Sequence, residues 1–394
     1  MNASASAQSS VFSPLLPFTI AVFLGFLAIG IPLAVLPAQV GRVLGFGTVA
    51  VGGAMGLQSL ATLLTRQYAG RLCDSHGAKP VGLAGFAAAA LAGVLYLLSA
   101  LCAGRPGPSL AVLLAARLVL GLGESLFITA LASWSIARVG AAHAGKAMAW
   151  QGMAMYGALA FGAPLGGWIA QRGGFTAVAA CALLAPLLGA GLVARWPGVP
   201  AAGGQRVSAG RIIQAIWVPG LGLALASSGF GVIAAFLALR YSEAGWSNPG
   251  LGISCFGVGY LLMRVFFAGL PDRVGGFKVA MVSLLVEAAG LMLLAHAHSA
   301  GMALAACAVT AVGYSLIFPS LGVEAMKRVA AEHRGMVLGT YFACFDLGLA
   351  LAGPLTGLVV QRFGLASAFV AGSGAALLSF SLIAVSRAAR RRRS

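Results

Sequence analysis

Apolar residues run through this chain in long blocks, interrupted by short clusters of charged residues, glycine and proline. A hydrocarbon core about 30 Å thick takes about 20 helical residues at about 1.5 Å each. Cutting the chain at the polar clusters leaves twelve segments that long: 16–40, 47–71, 79–103, 109–138, 143–171, 174–196, 214–241, 248–270, 277–297, 299–328, 333–361 and 365–387. Each is read as a transmembrane helix, and several exceed the requirement, so tilted or protruding ends are expected. The first is read as a retained span. It lacks a basic leader, is too long for a signal-peptide core and ends without an Ala-x-Ala site.

Composition supports lipid as the main solvent. Hydrophobic residues make up 60 % of the 394 and charged residues only 8 %, against about 25 % in soluble domains. The eight acids cannot cover a globule of this size. The net charge of +17 comes from bases scattered between apolar blocks, which is a topology signal and gives no reason to invoke nucleic acid. With both termini inside, eighteen of the 25 bases face the cytoplasm. Five (Arg42, Arg105, Arg172, Arg240 and Arg362) face outward, and Arg117 and Arg264 lie within spans. That is a positive-inside pattern with cytoplasmic termini. The Arg390–Arg393 run is read as an anchor on anionic lipid. The six cysteines form no CxxC pair and read as small buried hydrophobes.

Residues 197–213 form the long polar interruption and divide the spans six and six. The domains expected are an N-terminal half (1–196), a cytoplasmic linker (197–213) and a C-terminal half with its basic tail (214–394). An internal repeat supports the division. A shift of 190 lays 121–176 on 311–366, with seventeen of 56 positions identical. The matches include Arg138 with Arg328, His143 with His333, Pro164 with Pro354 and Gln171 with Gln361. A shift of 198 lays Arg66 on Arg264, Asp74 on Asp272 and Gly77 on Gly275.

Several segments carry recognisable motifs. The turn between spans 2 and 3 reads Gly70-Arg-Leu-Cys-Asp74-Ser-His-Gly77-Ala-Lys79, and a second-half copy contains Asp272 and Gly275. Span 4 carries Arg117-Leu-Val-Leu-Gly121-Leu-Gly123-Glu124. Span 5 carries Gly157 and Gly162-Ala163-Pro164-Leu165-Gly166-Gly167. On these motifs the chain resembles a major facilitator superfamily transporter over nearly its whole length. Ile31–Pro37 and Ala61–Arg66 most resemble the YhhS-like, arabinose-efflux-like bacterial permeases. The resemblance implies an all-α integral membrane fold of twelve helices in two pseudo-symmetric halves around a midplane cavity. It also implies that Asp74 docks on the start of helix 11 near Arg334, and Asp272 on the start of helix 5 near His143. With Gly70, Gly77, Lys79 and Gly275 these residues form a cytoplasmic gate; a solvated turn is the alternative. The span-5 pattern occurs mainly in antiporters, although Ala163 stands where the family has glycine before proline.

Ionisable groups inside spans cost roughly 2.5–3.5 kcal/mol or more when unpaired. Five qualify: Arg117, Glu124, Arg264, Glu287 and Asp346. Glu124 and Asp346 are read as proton carriers or substrate contacts, with static hydrogen-bonded acids as the alternative. Their repeat partners are Tyr314 and Tyr156, which can hydrogen-bond but carry no charge near neutral pH. Arg117 shares a helix face with Glu124, and Gln58 is a further cavity candidate, as are Gln151, Ser227, Ser228 and Tyr341. Arg264 and Glu287 agree in depth within about 3 Å and are expected to form a structural salt bridge.

No nucleotide-binding, metal-binding or enzymatic pattern stands out. Gly140–Ala147 nearly spells a phosphate loop but has Ala147 where Ser or Thr is required, and no strand precedes it. His296 and His298 alone make a weak metal site. The sequence therefore leads to a monomeric secondary transporter of the bacterial inner membrane, without cofactor. Protons, a small molecule and lipid are its partners. Proton-coupled efflux is the favoured mode, with proton-coupled uptake of a small polar solute as the alternative and an intramembrane enzyme as a remote one.

Overall fold

The computed structural model describes residues 2–140, 143–199, 209–328 and 334–391, and among these it contains helices and no strand. The helices are α1 (Asn2–Leu33), α2 (Thr48–His76), α3 (Ala78–Leu101) and α4 (Pro106–Val139). Next comes one long helix, Ala144–Ala194, that breaks at Gly174 (φ 62°, ψ −165°), a backbone state that glycine reaches without a Cβ clash. Its arms, 144–173 and 175–194, are here α5 and α6. They are followed by α7 (Ala209–Glu243), α8 (Gly250–Phe267), α9 (Gly276–Ala295), α10 (Ala300–Met326), α11 (Arg334–Phe363) and α12 (Ala366–Arg391). The twelve apolar segments thus correspond to twelve helices, with α5 and α6 meeting at the Gly174 kink.

The chain forms two compact units, one from 1–33 and 61–205 and the other from 34–60 and 206–394. In the first, α1 packs along α5, and α3 packs on both α4 and α6. Glycine permits the close approaches. A methyl on Gly162 would stand 2.9 Å from the Gly30 carbonyl carbon, and one on Gly166 would overlap the Ile31 carbonyl. Rings fill the centre: Phe86 stacks on Phe127 at 5.1 Å, and Phe26 meets Phe127 edge-on at 5.6 Å.

In the second unit, α7, α9, α10, α11 and α12 share a core that includes Ile216, Leu223, Leu284, Ile317, Leu321, Tyr341 and Ile383. The first half of α2 belongs here because it runs against α11. Gly52 faces Gly353 so closely that a methyl on either would overlap the other's carbonyl, and Thr48 Oγ1 donates to the Gly357 carbonyl at 3.0 Å. Both units reuse one crossing. In the first, Gly123 of α4 presses on the Ala89 nitrogen and Gly85 carbonyl of α3. In the second, Gly313 of α10 presses on the Glu287 nitrogen and Ser283 carbonyl of α9. The sequence repeat is therefore a repeat of helix contacts.

Candidate functional site

In the first unit the scarce charges lie on α4. Arg117 is 2 % exposed, and its Nη1 donates to Tyr96 Oη of α3 at 3.3 Å. Glu124 is half-buried and turns toward α2, where Thr62 Oγ1 donates to its Oε2 at 3.2 Å and to the Gly121 carbonyl at 3.1 Å. Both partners lay outside the sequence expectations. Their only signal was a hydroxyl inside an apolar run, which most often satisfies its own helix backbone. Tyr156 of α5 is buried.

In the second unit Asp346 of α11 is 3 % exposed. Ser227 Oγ of α7 bonds the neighbouring Phe345 carbonyl at 3.0 Å and so ties α7 to α11 at that level. Tyr314 of α10 is buried among Phe256, Phe230 and Tyr260, with ring centroids 5.5, 6.2 and 6.2 Å away. The polar groups offered as cavity lining divide. Gln58 and Gln151 are buried, whereas Ser227, Ser228 and Tyr341 donate to backbone carbonyls, Tyr341 to Phe318 at 2.8 Å. Ser227 and Tyr341 thereby reach a neighbouring helix, whereas Ser228 bonds the Leu225 carbonyl of its own helix.

One expectation is overturned. Arg264 does not pair with Glu287. Its Nη2 donates to Tyr260 Oη one turn back at 2.8 Å, and its guanidinium carbon lies 5.2 Å from that ring's centre. Glu287 is fully buried, and neither carboxyl oxygen has a hydrogen-bond partner among the described residues. Its Oε1 instead lies against Gly229 of α7. The helical rise matched the two residues in depth, but α8 packs on α10 whereas this carboxyl points across to α7.

The motif turns have the backbone that their glycines suggest. Gly77 (φ 85°) caps α3 and Gly275 (φ 102°) caps α9, both in the left-handed region. Asp74 and Asp272 are exposed, and a methyl on Gly70 would meet open space. Lys79 takes a role not expected of it: Nζ donates to the Ala194 and Trp196 carbonyls at 2.9 and 2.7 Å, closing the end of α6. His333, most of the 197–213 linker and the Arg334 side chain lie outside the described residues, as do the side chains of Arg390–Arg393. Within the span-5 motif Gly162 and Gly166 make the contact with α1. A methyl on Gly157 would stand 3.9 Å from the Phe23 ring, and one on Gly167 would meet open space. Pro164 sits inside the same helix.

Comparison with known proteins gives this arrangement its family. The model of the Major Facilitator Superfamily matches residues 18–240 and 219–394. An uncharacterized MFS-type transporter of Pseudomonas aeruginosa (strain UCBPP-PA14) is 44 % identical over 389 residues, covering 98 % of this chain and 96 % of the relative. Another from Salmonella typhimurium (strain LT2) is 40 % identical over 379 residues, covering 96 % and 98 %. Among solved structures, a variant of the nucleoside transporter NupG superposes with a TM-score of 0.77 at 15 % identity, covering 94 % of this chain and 99 % of that one. A D-xylose-proton symporter superposes with a TM-score of 0.75 at 16 % identity, covering 93 % and 97 %. With two family-model matches that together run from residue 18 to the last residue, and near full-length relatives, this multi-pass membrane protein belongs to the Major Facilitator Superfamily.

Proposed function

We propose that the chain is a proton-coupled antiporter of the bacterial inner membrane, exporting a small molecule by alternating access with both termini in the cytoplasm. It works as a monomer and draws on the proton gradient, with no cofactor. The observation that carries the reading is the placement of carboxylates. Each unit has an acid within a membrane-spanning helix, Glu124 in α4 and Asp346 in α11, and the repeat places Tyr314 and Tyr156 at the equivalent positions. Charge is asymmetric in a symmetric frame. An acid that is hydrogen-bonded in one state and rearranged in the other can bind a proton in exchange for substrate. Arg117, one face with Glu124, supplies a fixed positive charge to the same helix.

The gate belongs to this proposal. Asp74 and Asp272, exposed here, would dock on helix starts when the cytoplasmic side closes and release them when it opens. A second reading, uptake with a proton, is favoured by one residue: Ala163 precedes Pro164 where the antiporter pattern has glycine. The superposable fold of the D-xylose-proton symporter is compatible with it. Within the superfamily, resemblance to the YhhS-like permeases leans back toward efflux.

Proteoliposomes test the proposal once a transported compound is found by screening with and without a pH gradient. Glu124→Gln and Asp346→Asn are expected to abolish gradient-driven flux while sparing exchange at zero gradient, which needs no net proton movement. Retention of gradient-driven flux in both variants would return these acids to structural hydrogen bonding. The gradient polarity that drives accumulation separates antiport from symport.

A further inference from the structure

The strongest unassigned feature is Glu287. It is the twelfth of twenty residues in α9, and it sits where three helices pass at glycines. Gly313 of α10 presses on its backbone nitrogen, and Gly229 of α7 lies under its Oε1. Gly372 of α12 closes the third side, where a methyl would stand 3.4 Å from Leu291 Cδ1 and 3.8 Å from Gly229 Cα. Neither carboxyl oxygen is hydrogen-bonded among the described residues, and the residue is fully buried.

Among the described residues no charge is in position to hold it ionised. On α9 itself, Lys278 and His296 are each about 13 Å away along the axis. On α7, Arg240, Tyr241 and Glu243 lie about 16 Å or more beyond Gly229, and Arg240 already bonds Glu243 at 3.0 Å. On α10, Cys307 and Glu324 lie about 9 and 16 Å from Gly313, and the Tyr314 ring turns to Phe256 and Tyr260. On α12, Arg387 is about 22 Å from Gly372. Asp272 and Arg273, on the one-turn helix before α9, are exposed, and Arg264 is engaged with Tyr260.

Packing does not require an acid here either. The equivalent crossing in the first unit, Gly123 on α3, is filled by Ala89, which is just as buried. A methyl suffices at that position, so the carboxyl at 287 adds chemistry without adding fit.

We propose that Glu287 is a proton-binding site of the second unit, held as the neutral acid beneath α7, whose proton exchanges with water only when α7 moves off α9. The contact is a direct one. With glycine at 229 the α7 backbone covers Oε1, and any side chain there would displace the carboxyl. Separation of the two helices would admit water, and the group could then release its proton as a hydrated carboxylate. This site extends proton handling to a third acid without resting on the coupling assigned to Glu124 and Asp346. Its test reads the proton itself, without substrate, so failure of either idea leaves the other standing.

The experiment is infrared spectroscopy of the full chain in lipid nanodiscs at neutral pH, before and after transfer to D2O. The wild type is expected to show a protonated carboxylic C=O absorption that shifts slowly on deuteration. Glu287→Gln should remove it, and Gly229→Ala should speed its shift. An absorption unchanged in Glu287→Gln would overturn the proposal, because the acid would then be ionised. So would a wild-type shift as fast as that of Gly229→Ala, because α7 would then control nothing. Should Glu287→Gln fail to fold, the absorption must survive in both Glu124→Gln and Asp346→Asn; its loss in either also overturns the assignment.

Discussion

Arg264 shows what a single charged side chain does when the acid at its own depth faces elsewhere. It bonds Tyr260 Oη at 2.8 Å and lies beside that ring, while the Tyr260 carbonyl accepts from Ser315 Oγ of α10 at 2.9 Å. The charge is thus held on α8. Tyr260→Phe removes the acceptor and leaves a half-buried guanidinium short of a partner, so a loss of about 1–2 kcal/mol is expected in thermal unfolding. Neutralising Arg264 and Glu287 together should give the sum of the single effects within about 0.5 kcal/mol, since the two do not touch. The sequence could place both residues inside the membrane and at one depth, because rise per residue is constant. It could not say which way each pointed. Azimuth depends on which helices are neighbours, and that is a tertiary fact. The same limit hid Thr62 and Tyr96, which bond Glu124 and Arg117, and the contact of Lys79 with the end of α6.

Among the elements, the α1–α5 contact depends on glycine periodicity. Gly162 and Gly166 are four residues apart and share the face that meets Gly30 and Ile31, whereas Gly167 lies about 100° further round and faces open space. Without a hydrophobic drive between helices in lipid, such close backbone approach is what packs them. Gly166→Val is therefore expected to force the helices apart, costing about 1–3 kcal/mol or preventing folding. Gly167→Val should stay within about 0.5 kcal/mol. Thermal melts in one detergent compare them, and equal losses would mean that the motif acts through helix propensity, not contact. The motif was legible as a string of small residues; its division into contacting and idle members needed the neighbouring helix. Helix ends were legible for a different reason. Gly77, Gly174 and Gly275 all adopt positive φ, and each falls at a boundary that the polar clusters had marked. The kink at Gly174, where α5 passes into α6 without a loop, was not legible, because the sequence signals a turn there without fixing its geometry.

At the scale of the whole molecule, the repeat carries the strongest sequence signal, since it recurs as contacts: Gly123 on Ala89 and Gly85, Gly313 on Glu287 and Ser283. An even number of spans, twelve, would put both chain ends on one side of the membrane, and the basic residues are expected to choose which. Eighteen of the 25 lie on the side shared by the termini and the 197–213 linker, and five on the other. Positively charged loops resist translocation, so that side is expected to be the cytoplasm. Of the five arginines expected outside, Arg240 is engaged with Glu243, and Arg172 lies 3.9 Å from the Trp168 ring centre. The measurement uses a variant with the six native cysteines replaced, into which one cysteine is returned at Ser394 or at Ser208. A membrane-impermeant maleimide added to intact cells should label neither, and both should react once the cells are opened. A cysteine at Gly104, in the loop before α4, should be labelled from outside. Labelling of Ser394 or Ser208 sites in intact cells would invert the molecule, and with it the proposed cytoplasmic position of the Asp74 and Asp272 turns.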